Sequence, residues 1–212
     1  MRKNLTISLI LFFFINSFTY FEAKSKINTK IIVRVGNKII TSIDIQNEIV
    51  TSLLLKKLVL TQENINNSKN YAIKNLINKN IKEIEINKYE VQEYNEVDLK
   101  NYIINVAEIF NTNTAGLKQV FKSAGVSYDV FIEKYKTELL WNTLIYQKYK
   151  NQININAIEV ETEIEKLRKD NNEITIKKIK KEILQKKKTE KLSLFSRSHF
   201  SNLENSISIN FQ

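Results

Sequence analysis

Ile31, Val33 and Val35 alternate with Ile32 and Arg34, and after Gly36-Asn37 the run Lys38-Ile39-Ile40 continues. Period-two alternation on either side of two residues that tolerate left-handed backbone angles predicts a β-hairpin. Thr41 and Asp44 then stand at the spacing of a reciprocal helix cap, and Ile45, Ile49, Ser52 and Leu53 recur at helical intervals. A hairpin is therefore expected to feed directly into a helix. An isolated hairpin is marginal in water, and this one is apolar on both faces, so a third strand and a covering helix are expected.

Further along, TQENINNSKN before Tyr71 is polar and aperiodic and reads as a loop. Tyr71, Ala72, Leu76, Ile77, Ile81, Ile84 and Ile86 predict one amphipathic helix to about Tyr89. Asn95 with Asp98 opens a helix through Leu99, Tyr102, Ile103, Val106 and Phe110. Thr112 or Asn113 opens another, carrying Leu117, Val120 and Phe121 and closing at Ala124-Gly125, and Ser127 caps a longer one through Phe131, Tyr135, Leu139, Leu140, Leu144 and Ile145. After Asp170 the stripe Ile176, Ile179, Ile183 and Leu184 predicts a basic helix that Leu192, Phe195 and Leu203 can continue. Ser206 to Phe211 alternates again and predicts a half-buried strand. Being the only other clear strand signal, that segment is expected to close the sheet through Ile207, Ile209 and Phe211. The fold class is mainly α with a small β-sheet.

Residues 1–23 change the picture of the compartment. Arg2 and Lys3 precede an apolar run from Leu5 to Phe14, followed by the more polar Asn16, Ser17 and Thr19, which is the layout of a secretory leader. The interrupted run is short for a membrane span of about 20 residues. Cleavage near Ala23 is expected, an uncleaved inner-membrane anchor being the alternative, and no cysteine marks a lipoprotein. With 0 Cys, disulfides, zinc-thiolate sites and cysteine nucleophiles are excluded, and 3 Gly with 0 Pro point to long helices with short polar connections.

The strand, turn and helix start at Val33, Val35, Gly36, Asn37, Ile39, Ile40, Thr41, Asp44 and Ile45 resemble the opening of the SurA family of periplasmic chaperones. Leu76-Ile77, Glu96-Val97, the run Leu117 to Phe131, Glu138 to Trp141 and Leu144-Ile145 are similar to that family's N-terminal domain. Ile155-Asn156 with Glu159, Val160, Glu163 and Ile164 resembles its hinge into the next module. The resemblance covers Ile31 to about Leu167; with the leader read at 1–23, it implies a SurA N-terminal-like helical module at 24–168 and a basic helix and strand at 169–212 returning to that module. Full-length relatives carry parvulin-type isomerase domains after the hinge. The 45 residues after Leu167 have no Gly and read as helix, so no isomerase domain is expected here.

Candidate chemistry is sparse. His199 is the only histidine, surrounded by Ser196, Ser198 and Ser201, and reads as solvated surface; Glu161, Glu163 and Glu165 read as an outward-facing charged helix face. No catalytic, cofactor or metal site is expected, and the protein is not read as an enzyme. Lys177 to Lys191 holds 8 Lys against 2 Glu, within a formal net charge of +10. That density favours a solvated helix face, with attraction to an anionic membrane surface as a second reading; without arginine or aromatic residues inside the run, nucleic acid is disfavoured. Phe110, Leu117, Phe121, Tyr128, Phe131 and Tyr135 fall in three consecutive helices. Most are expected in the core and a minority in an apolar cradle for unfolded chains. The expected function is a periplasmic chaperone for unfolded outer-membrane proteins or other exported chains. The alternative is an envelope assembly factor binding one folded partner.

Overall fold

The computed structural model describes residues 29–168 and 173–212. Two strands open the chain, β1 (Ile31–Val35) and β2 (Lys38–Thr41). Seven helices follow among the described residues: α1 (Ser42–Leu55), α2 (Gln62–Lys88), α3 (Glu96–Ile109), α4 (Thr114–Ser123), α5 (Tyr128–Tyr149), α6 (Ala157–Arg168) and α7 (Glu173–Ser206). The strand β3 (Ile209–Phe211) ends the order. The leader reading of residues 1–23 and the junction at 169–172 lie outside the described residues.

The hairpin forms as the alternation predicts. Gly36 takes φ +55°, and the sheet runs β2-β1-β3 with both pairings antiparallel. Val33, Val35 and Ile40 are buried against Ile45, Ile49 and Leu53 of α1 and Ala72, Ile77 and Ile81 of α2. A register irregularity between Ile31 and Val33 lets Ile32 break step, and its carbonyl accepts from Gln212 N–H at 2.9 Å. The turn is held from outside as well: Gly36 N–H donates to Ser208 O at 2.9 Å, and a Cβ at Gly36 would stand 3.2 Å from Ile84 Cδ1. So β3 and α2 both close on this glycine. Phe211 departs from the expected burial. It is 66% exposed, so only Ile207 and Ile209 of the alternating segment pack against the core.

Thr41 forms the reciprocal cap with Asp44, and Asn95, Asn113 and Ser127 each accept a backbone N–H at the starts of α3, α4 and α5. Asn95 receives Val97 N–H rather than completing a box with Asp98. The expected loop at 61–70 is helical: α2 begins at Gln62, with Thr61 Oγ1 accepting from Asn64 N–H at 3.2 Å, and runs 27 residues. Extending a helix already nucleated downstream costs little per residue, and Ile65 anchors the added turns on the core.

Four successive helices end alike. In α1 the N–H groups of Leu58 and Lys57 return to Leu53 O and Leu54 O; the same paired bonds occur at Val91 and Glu90, Thr112 and Asn111, and Val126 and Gly125. This Schellman geometry needs a left-handed residue just past the helix, and glycine meets the requirement without steric cost. Only Gly125 does so here; Lys57, Glu90 and Asn111 sit at φ +54°, +53° and +52°. Left-handed backbone costs an ordinary L-residue about 1–2 kcal/mol, and glycine returns part of that as unfolded-chain entropy. Lys57→Gly and Glu90→Gly are each expected to stabilise by roughly 0.5–1 kcal/mol, raising the melting temperature by about 1–3 °C. Gly125→Ala should shift a thermal melt the other way.

Two further cores complete the body. Val106, Ala107, Leu117, Phe121, Val126 and Phe131 pack together beside Val50 and Leu54 of α1. Ile86, Val91, Trp141, Leu144 and Ile145 form the other, with Leu192, Phe200 and Leu203 of α7 laid across them. Phe200 and Leu203 also touch the sheet-side core, so the end of α7 joins two hydrophobic clusters. Charge pairs tie the layers: Lys134 meets the buried Glu48, Lys82 meets Glu138, and Lys38 and Lys79 both meet Glu83. Burial alone would raise the Glu83 pKa. The hydrogen bonds from Lys38 and Lys79 outweigh it, and its carboxyl is held below the usual carboxylate value.

His199 is not solvated surface. Its Nε2 lies 2.9 Å from Glu85 Oε1 and its Nδ1 3.0 Å from Tyr149 Oη, with the side chain 12% exposed and that of Glu85 4%. Three residues earlier Ser196 Oγ accepts from Trp141 Nε1–H at 2.8 Å. The serine and histidine at this spacing lie on one face of α7, which meets α5 and α2, so a stretch that looks like a polar tail is a docking face whose polar groups are partnered.

Candidate functional site

A groove of about 1060 Å³ runs between α3 and α4 and reaches Tyr128 at the start of α5. Its position follows from the local sequence. The left-handed Asn111 turns the chain sharply after α3, and Asn113 Oδ1 accepts Gly116 N–H at 2.9 Å to start α4 three residues later. The two helices therefore lie side by side. Leu117 and Phe121 take the inner face of α4, leaving Ala115 and the Lys118 stem toward the groove. A small residue at 115 keeps that wall open. Gly116 sits where a Cβ would fall 2.0 Å from Thr112 Oγ1, so the tight turn at this end depends on its missing side chain.

From α3 the wall is Val97, Ile103, Ile104 and Ala107, with Tyr94 adding a ring before the helix. Val97 is 62% exposed on this wall. Glu96, Lys100, Glu108 and Lys118 supply charge of both signs around this apolar floor. Lys118 Nζ stands 5.5 Å from the Tyr128 ring centroid. Partial burial, then the neighbouring Asp129, pushes the Tyr128 phenol above its ordinary pKa. The surface can bury apolar side chains without demanding one fixed hydrogen-bonding pattern.

Of the six residues expected to supply a cradle, Tyr128 lines this groove. Leu117, Phe121 and Phe131 are buried and build the core behind it, while Phe110 and Tyr135 are partly buried beside that core. The aromatics form one stack: Phe121 and Phe131 centroids are 4.6 Å apart, and Tyr102 and Tyr135 lie 3.5 Å apart with an interplanar angle of 6°. Burial and then Tyr135 raise the Tyr102 pKa. These rings stiffen the wall from behind. The residues that do line the groove, Val97, Ile104 and Ala115 among them, were missed because α3 was read for one core stripe. Its Leu99, Tyr102, Ile103, Val106 and Phe110 satisfy that stripe, and Val97 and Ile104 are apolar groups left on another sector. A helix apolar over more of its circumference than one contact requires was the available signal.

Among the described residues, no group of three or more His, Asp or Glu side chains could hold a metal ion, and no helix is long and apolar enough to cross a membrane.

The sequence matches no protein-family profile and no curated protein. In fold it is similar to a solved chain from a study describing PEB4 and Cj1289 of Campylobacter jejuni as structurally related SurA-like chaperones. The identity is 14%, the alignment covers 86% of this chain and 98% of that one, and the TM-score is 0.43.

Proposed function

We propose that this protein is a SurA-like periplasmic chaperone that holds unfolded outer-membrane or other exported chains against the α3–α4 groove, without isomerase activity. The observation that carries the reading is the groove itself: apolar walls, an exposed Val97, and a volume of about 1060 Å³, backed by the core of Ala107, Leu117 and Phe121. Sequence resemblance from Ile31 to Leu167 supports the same reading, as does the expected leader at 1–23. Residues 173–212 form one helix and one short strand, which leaves no parvulin sheet within them.

The expected result is that the protein suppresses light scattering by several unrelated unfolded β-barrel proteins at near-stoichiometric ratios. Val97→Glu with Ile104→Lys should abolish most of that suppression while leaving the melting temperature within about 2 °C, since Val97 is exposed and Ile104 lies outside the buried cores. Suppression of aggregation for one protein only would replace the chaperone reading with an assembly factor dedicated to one partner. Unchanged suppression by the double variant would remove the groove from the mechanism.

A further inference from the structure

The helices α6 and α7 form an antiparallel arm through the first half of α7, and its charges are sorted by side. Val160 and Ile164 of α6 are buried beneath α7. Lys187 pairs with Glu163 at 2.7 Å and Glu159 at 3.5 Å, and Lys180 pairs with Glu161 at 3.3 Å. The acidic face of α6 is thus not free charge; it is turned to the inner lysines of α7. At about 100° per residue, Lys177, Lys181, Leu184 and Lys188 fall in one narrow sector on the side away from Ile179 and Ile183, with Lys191 at one edge and Lys178 further round on the other side. Glu182 and Glu190 lie outside that sector, Glu190 on the opposite side with Ile179 and Ile183. The result is a straight cationic stripe about 16 Å long.

We infer that this stripe of α7 is a docking surface for an anionic phospholipid layer. The chemistry favours a lipid surface over other anions. Lysines are mobile point charges suited to a diffuse layer of headgroups, and the stripe has no arginine fork for a fixed phosphate and no aromatic platform for bases. Leu184, 37% exposed, sits among the lysine stems, and Lys188 Nζ rests 5.1 Å from the ring of Tyr146, itself 42% exposed. An apolar side chain and a tyrosine beside snorkelling lysines suit a headgroup boundary, where aliphatic and ammonium groups are both accommodated. The stripe is linear and convex rather than a pocket, which matches a plane. This inference does not depend on the chaperone reading: the groove lies between α3 and α4, away from the arm.

Flotation with vesicles of phosphatidylcholine containing phosphatidylglycerol, against pure phosphatidylcholine, tests it. The wild-type chain should bind the anionic vesicles at low salt and release from them as salt rises. Each lysine near such a surface counts for roughly a fivefold change in binding, so K177Q/K178Q/K181Q/K188Q should weaken it about a hundredfold or more. K69Q/K74Q/K122Q/K150Q removes the same net charge from exposed positions elsewhere and should retain binding. Equal loss in both quadruple variants would show an effect of net charge alone and overturn the assignment. So would equal binding to both vesicle types, or full binding by the stripe variant. Far-UV circular dichroism of each variant confirms that helix content is unchanged.

Discussion

Deleting Ser206 to Gln212 is expected to lower the melting temperature by about 10 °C and to expose the buried Val33 and Val35 to an apolar dye. In the intact chain β3 pairs with β1 through Val33, Arg34 and Val35, and backbone bonds at Gly36 and Gln212 extend the seam on either side. Ile207 and Ile209 pack on the sheet-side core. Two partly buried isoleucines, the loss of cover over two valines and several sheet hydrogen bonds together contribute roughly 3–5 kcal/mol. That is a large share of the 5–15 kcal/mol a typical domain holds. Phe211→Ala provides the contrast. With Phe211 66% exposed, the substitution should change stability by less than about 0.5 kcal/mol. A deletion variant that melts with the full-length chain would make the C-terminal segment an appendage.

Trp141→Ala is expected to cost about 3–5 kcal/mol, and to do so by releasing α7 as well as by leaving a cavity. Trp141 is 2% exposed, donates to Ser196 Oγ at 2.8 Å, and lies edge-on to Phe200 with centroids 6.1 Å apart. It therefore holds α5 and α7 together through packing and one directional bond. Trp141→Phe keeps most of the packing and removes the bond, so it should cost about 1–2 kcal/mol. Proteolysis distinguishes the two effects: α7 should become a cleavage site in the alanine variant well below its melting temperature. If both variants unfold only globally, α7 is held mainly by Phe200, Leu203 and the Glu85–His199–Tyr149 network.

The groove and the latch show the two ways in which local pattern was insufficient. Tyr102, Val106 and Phe110 satisfied a helical stripe, so the other apolar sector of α3 went unread until the α3–α4 turn set a second wall beside it. Ser196 and His199 sit in a serine-rich basic context, and a one-dimensional pattern cannot record that Trp141, Glu85 and Tyr149, 50 to 114 residues away in sequence, come to meet them. Long-range partners decide whether a polar side chain is solvated or satisfied.

What the sequence determined by itself was the hairpin, the starts of α1, α3, α4 and α5, and the return of a strand at the end. These rest on interactions spanning a few residues: the left-handed angle at Gly36, the Thr41–Asp44 cap, the caps at Asn95, Asn113 and Ser127, and period-two alternation. Tertiary structure decided the rest. It extended α2 back to Gln62, left Phe211 exposed on the edge strand β3, and paired Glu159, Glu161 and Glu163 with lysines of α7. Each depends on which surface another element brings within contact distance, and the free energy of that contact exceeds the small local preferences of the residues involved.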